Sequence, residues 1–183
     1  MKRMLALLGS PRENGNTAAL ARAVAEGAAE RGYETSFVQL AHLSIKGCID
    51  CRRCWDKGRP CVIRDDMDAI YDSLASSDAV TFATPLYWYS WSGQIKLLWD
   101  RLLPFGSPKA EKSLAGKKAI LVAAAGEEDL SAFDGLLFSY DKSCSFLELR
   151  QVGKILATGV YEVGEIGKGK WLSEAKDLGM RLA

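Results

Sequence analysis

The sequence predicts an α/β fold in which a parallel β-sheet carries helices on both faces. Three observations lead there. Five short β-rich runs alternate with helical patterns along the chain, and a parallel sheet covered on both sides is the economical way to join such elements. Several of the runs are almost wholly apolar, as strands buried on both faces are. The chain has 183 residues, which suits a single domain spanning 1–183. Right-handed crossovers then make the sheet doubly wound.

The elements follow in order. Arg3 to Leu8 is the first strand and ends at Gly9. Thr17 to Arg31 reads as a helix with Ala18, Ala21, Val24, Ala25 and Ala28 on one face, stopped by Gly32. Thr35 to Leu40 alternates as a strand, and a cysteine-rich loop follows. A helix from Asp66 to Leu74 opens on acidic residues, which suit its positive end. Ala79 to Ala83 is a buried strand running into Thr84-Pro85, and Gln94 to Leu103 is helical, stopped by Pro104. Lys118 to Ala124 is the fourth strand and leads to Gly126. Leu130 to Leu149 is helical in part, Gln151 to Tyr161 contains the last strand, and Trp171 to Leu182 closes as a helix.

Composition narrows the function classes. Lys plus Arg is 24 against 23 Asp plus Glu, so the basic excess expected of a nucleic-acid binder is missing. The apolar run Met4 to Leu8 is too short for a secretory signal, and no stretch approaches the about 18 apolar residues of a membrane span. The expectation is a soluble, cytoplasmic protein with no nucleic-acid or membrane partner. His42 is the one histidine, which removes His-based metal sites and His-dependent triads.

In a doubly wound sheet, ligands bind beyond the carboxyl ends of the strands where the strand order reverses. The loop after the first strand reads Gly9-Ser10-Pro11-Arg12-Glu13-Asn14-Gly15-Asn16-Thr17. Backbone N–H groups at a helix start make an anion site, to which Ser10, Asn16, Thr17 and Arg12 can add donors. The same residues also read as a capped helix with Asn16 or Thr17 as N-cap. Neither a G-x-G-x-x-G nor a Gly-Lys-Ser/Thr fingerprint is present.

The loop after the third strand carries Tyr87, Trp88, Tyr89 and Trp91 within five residues. They cannot all point inward, so some are expected at a binding site or subunit interface, where a flat cofactor could stack on them. Core packing accounts for one or two. Four cysteines, Cys48-x2-Cys51-x2-Cys54-x6-Cys61, sit in a loop opened by Gly47 and closed near Pro60. Clustered cysteines without a secretory signal point to metal or redox chemistry, and the spacing is open between an Fe–S cluster, zinc, a disulfide and free thiols. Arg52, Arg53, Lys57, Arg59 and Arg64 add positive charge there. Cys144 reads as a small core residue.

Gly9-Ser10-Pro11-Arg12 followed by Gly15-Asn16-Thr17 resembles the phosphate loop of the NADPH-dependent FMN reductase family, within the flavodoxin-like superfamily. Pro85, Tyr87, Gly93, Lys96, Asp100 and Arg101 resemble its second flavin loop and the helix after it. The resemblance covers nearly the whole chain. It implies a three-layer flavodoxin-like fold with a five-stranded parallel sheet in the order 2-1-3-4-5. It also implies FMN phosphate at Ser10, Arg12, Asn16, Thr17 and Ala18, and the flavin ring at Pro85, Leu86, Tyr87, Trp88, Tyr89 and Ser90. The loop after the fourth strand departs from the family, with Ala123-Ala124-Ala125-Gly126-Glu127-Glu128 in place of a Thr- and Gly-rich turn; Gly126 still permits close approach to the ring. The cysteine spacing resembles that of iron–sulfur flavoproteins, which implies a [4Fe–4S] cluster on Cys48, Cys51, Cys54 and Cys61.

The implied activity passes electrons from NAD(P)H to FMN and on to a quinone, flavin, nitro compound or Fe–S acceptor, with the chemistry residing in the cofactor and no side chain required as acid or base. The rival is an electron-transfer iron–sulfur flavoprotein without a small substrate of its own. Carrier flavodoxins tend to be strongly acidic, whereas this chain is nearly neutral. A homodimer or tetramer is expected, with the aromatic loop near the subunit contact.

Overall fold

The computed structural model describes residues 1–57 and 61–182. Arg59 and Pro60 of the cysteine segment therefore lie outside the described residues. The chain opens with β1 (Lys2–Leu8), α1 (Asn16–Ala29) and β2 (Tyr33–Gln39). After the cysteine segment, which contains the short α2 (Arg53–Lys57), come α3 (Met67–Ser76) and β3 (Ala79–Pro85). There follow α4 (Gly93–Trp99), α5 (Leu103–Gly106), β4 (Lys118–Ala124), α6 (Asp134–Phe146), β5 (Arg150–Ala157) and α7 (Trp171–Met180).

The strands form one parallel sheet in the order β2-β1-β3-β4-β5. The winding direction changes between β1 and β3, and the crevice at their carboxyl ends is the expected ligand position.

Alternation along the central strands divides the interior into two layers, because successive side chains leave opposite faces of a sheet. Leu5, Leu7, Phe82 and Leu121 face one core together with Ile95, Leu98 and Tyr140. Met4, Ala83, Ile120 and Val122 face the other, which α1 and α7 cover through Leu20, Val24, Ala175 and Leu178. These two helices touch almost backbone to backbone. A Cβ on Gly27 would lie 1.9 Å from the Lys176 carbonyl oxygen, and one on Gly179 would lie 2.1 Å from that of Val24. The edge strand β2 is only partly covered, and its mixed polar and apolar residues follow from that.

Several boundaries differ from the sequence reading, and three of them have a clear local reason. The N-cap of α1 is Gly15, without a side-chain cap bond, and Asn16 is already helical; the Asn16 side chain has partners elsewhere, described below. The same helix ends at Ala29, two residues early, and the chain turns through Gly32 at φ +80°. Pro104 does not stop a helix. The break comes after Trp99, and Pro104 sits in the first turn of α5, where its missing N–H costs no intrahelical bond.

Candidate functional site

The loops beyond β1, β3, β4 and β5 are knitted to one another, and a cleft runs along their seam. Gly9 N donates to Ala83 O at 2.7 Å, and Ser92 Oγ donates to Gly9 O at 2.6 Å. Leu86 N reaches Ala124 O at 2.9 Å, and Val160 N reaches Ala125 O at 2.8 Å. Each loop is thus held by its neighbour, which gives the site a rigid backbone frame.

The inner half of the cleft, about 280 Å³, begins at the N-terminus of α1 with Ser10, Arg12, Asn16 and Thr17 and continues to Pro85, Leu86 and Tyr87. The first bond of α1 is made by Ala19 N to Gly15 O at 3.1 Å, so the N–H groups of Asn16, Thr17 and Ala18 precede it and remain for a ligand. Ser10 and Thr17 are buried and Arg12 is exposed. Together they make a neutral donor floor with one cationic edge, suited to a phosphate. The outer half, about 480 Å³, is bordered by Trp88, Tyr89 and Glu127, and shares Leu86, Ala125, Gly126 and Tyr161 with the inner one. Clefts of this combined size take small-molecule cofactors.

A tight turn supports the outer half. Tyr87 N and Ser90 O, and Ser90 N and Tyr87 O, pair at 3.1 Å each, and the two residues between them have positive φ, 47° at Trp88 and 60° at Tyr89. That conformation is rare for large side chains and costs on the order of 1–2 kcal/mol per residue. It leaves Trp88 94% exposed beside the cleft. Trp91 turns inward instead: its Nε1 donates to Ser139 Oγ at 3.0 Å, and its ring lies 4.3 Å from that of Trp99. One of the four aromatics is therefore core.

Most of the expected flavin-contact residues meet along this cleft. The exceptions are Ala18, whose buried side chain leaves only its N–H, and Ser90, which closes the turn from outside the lining. Asn16 lines the cleft, but its side chain faces the turn after β5. Val160 and Tyr161 are cleft residues that the sequence reading missed, and Glu127, read there only as part of the loop after the fourth strand, borders the cleft as well. The signal for Tyr161 was an aromatic residue just past the carboxyl end of β5, bracketed by Gly159 and Gly164.

Cys48, Cys51, Cys54 and Cys61 border a single small cavity of about 20 Å³, closed on its apolar side by Ile63 and Leu103. All are free thiols. Burial raises the Cys54 thiol above its ordinary value, and Cys61, Cys48 and Cys51 raise it further, against the Trp55 N–H. Among the described residues, no three His, Cys, Asp or Glu side chains converge tightly enough for one metal ion.

Arg101 closes the base of this segment. Its fully buried guanidinium bonds Asp65 Oδ2 at 2.6 Å, Lys46 O at 3.2 Å and Ile63 O at 3.1 Å, clasping the chain before the first cysteine to the chain after the last. Burial works against the Asp65 carboxylate, but the Lys46 N–H, Arg101 and the Met67 N–H outweigh it and hold the carboxyl below its ordinary value. Cys144 is wholly buried in α6, and burial pushes its thiol up to about 12. His42 is exposed beside Glu13 at 2.9 Å.

The chain matches the family model of NADPH-dependent FMN reductase over residues 2–136, and it belongs to that family. It is 32% identical over 177 residues to an iron–sulfur flavoprotein of Archaeoglobus fulgidus, covering 97% of this chain and 77% of the relative. An iron–sulfur flavoprotein of Methanocaldococcus jannaschii is 37% identical over 102 residues, 56% of this chain and 52% of that protein, so the match spans about half that relative's length. The solved NAD(P)H:quinone oxidoreductase from Methanothermobacter marburgensis aligns with a TM-score of 0.76 at 15% identity, covering 99% of this chain and 96% of the other. At that identity the likeness concerns the fold alone.

Proposed function

We propose that this member of the FMN reductase family binds FMN in the cleft as one domain spanning 1–183, and moves electrons from NAD(P)H to a small-molecule or protein acceptor. The observation that carries the reading is the continuity of the cleft, from the unpaired N–H groups at the start of α1 to the aromatic turn beyond β3. FMN supplies two-electron exchange with the nicotinamide and onward transfer to the acceptor. The protein's part is to bind and orient. The N–H groups of Asn16, Thr17 and Ala18, with Ser10, Thr17 and Arg12, suit the phosphate, while Pro85 to Tyr87 and Ala125-Gly126 offer a flat, close-approaching surface for the ring. Trp88 and Tyr89 border the open half, where quinones, free flavin or nitro compounds are planar enough to stack. Exposed Trp88 also supports a homodimer or tetramer with this turn at the contact.

A second reading, an electron-transferring iron–sulfur flavoprotein, is favoured by the four thiols around one cavity. Cys48, Cys51, Cys54 and Cys61 would hold a [4Fe–4S] cluster, which releases electrons singly. Among the described residues, no helix is long and apolar enough to cross a membrane, and free thiols throughout are compatible with a cytoplasmic setting.

The test is anaerobic purification followed by absorption spectroscopy, iron and sulfide analysis, and NAD(P)H oxidation with a quinone. One FMN per chain with quinone-dependent turnover supports the enzyme. FMN, iron and sulfide without turnover on any small acceptor favours the carrier. A colourless protein that takes up no added FMN defeats both.

A further inference from the structure

We infer that Tyr161 forms the outer wall of the flavin site and that Asn16 is the residue that positions it. The inference rests on FMN occupying the cleft. Asn16, although it opens the anion-binding helix, turns its side chain away from the helix end. Its Nδ2 donates to Glu162 O at 2.8 Å, and its Oδ1 accepts from Gly164 N at 3.0 Å. Both partners belong to the turn after β5, outside the residues that match the family model.

That turn is pinned on every side. The Glu165 carboxylate accepts from Tyr161 N and Glu162 N, both at 2.9 Å. Its stem is fastened to the loop after β4 by Gly159 N to Glu127 O and Val160 N to Ala125 O, both at 2.8 Å. On this constrained backbone the Tyr161 side chain packs into no core and the residue is 71% exposed, which leaves its task to be found outside the core.

Its surroundings supply the task. Tyr161 is one of four residues bordering both halves of the cleft, and its ring lies on Gly126, where a Cβ would come within 3.1 Å of Tyr161 Cδ2. The absent side chain at Gly126 lets the ring lie low against the cleft. A planar ligand entering between Leu86 and Tyr161 gains aromatic contact on the side that the β3 loop does not cover. Because the Asn16 N–H faces the phosphate end while its amide holds the Tyr161 turn, one residue joins the two ends of the site.

The test titrates full-length protein, stripped of flavin, with FMN and follows flavin fluorescence. The wild type, Tyr161→Ala, Tyr161→Phe, Asn16→Ala and the Asn16→Ala/Tyr161→Ala double variant are compared. Tyr161→Ala raises the dissociation constant roughly tenfold and leaves bound flavin brighter, as loss of one stacking partner predicts, while Tyr161→Phe restores both. Asn16→Ala shifts brightness in the same direction, and the double variant is no brighter than Tyr161→Ala alone, because coupled residues are not additive. Wild-type affinity and quenching in Tyr161→Ala would overturn the wall. Independent, additive brightness changes would overturn the positioning role. Failure of the wild type to bind FMN would instead remove the reading of the cleft, and this inference with it.

Discussion

Arg101→Met tests the clasp at the base of the cysteine segment. The guanidinium and the Asp65 carboxylate have side-chain exposures of 0% and 4%, so solvent cannot take over the stranded carboxylate when the arginine goes. Two acceptors, Lys46 O and Ile63 O, lose their donors as well. Breaking a buried pair from one side costs about 3–5 kcal/mol. With a urea m-value of roughly 2 kcal/mol/M, the unfolding midpoint falls by about 1.5–2.5 M. Adding Asp65→Asn neutralises the stranded charge while its single amide oxygen still accepts from one of the two N–H groups, Lys46 or Met67, that the carboxylate served, and recovers part of the loss. The pH dependence has a definite sign. Asp65 has a folded pKa below its ordinary value, so its contribution is present above about pH 4, the unfolded value, and fades as pH falls through the folded one. In Arg101→Met the buried charge is relieved by the same protonation, so the gap between the two proteins narrows on acidification. Urea unfolding at pH 7 and pH 4 measures both effects. A change below about 1 kcal/mol, the range of an exposed pair, or a gap that widens in acid, would refute the argument.

Two further outcomes follow from packing. Gly27→Ala places a methyl where the Lys176 carbonyl stands; its gain of about 1 kcal/mol in helix propensity is overridden by an overpacking cost of about 1–3 kcal/mol or more, and calorimetry should show a lower melting temperature. Cys144, buried and with its thiol pushed up to about 12, stays unmodified by iodoacetamide at pH 8 in folded, metal-free protein, while the exposed Cys48 and Cys51 are alkylated. Peptide mass spectrometry reads this directly, and labelling of Cys144 at the rate of Cys48 would contradict the burial.

The sequence alone determined the order of elements, the doubly wound sheet and the two loops that open the cleft. Those features depend on short-range signals: apolar runs such as Met4 to Leu8 and Lys118 to Ala124, and glycine- or proline-bearing loops at strand ends. Its resemblance to a flavin family also anticipated the strand order. Where each side chain points was decided only in the tertiary structure. Asn16 carries the residue type of a cap, but caps compete with distant partners, and the turn 146 residues further along the chain takes its amide. Trp91 and Trp88 are alike in sequence terms; one enters the core through Ser139 and Trp99 while a positive-φ turn pushes the other into solvent. Arg101 entered the sequence reading only as part of the helix motif that resembles the family, and its burial follows from Lys46, Ile63 and Asp65 arriving at the same point. Tyr161 was invisible for the same reason: its partners, Gly126 and Asn16, belong to separate loops that meet only when the sheet brings the strand ends together.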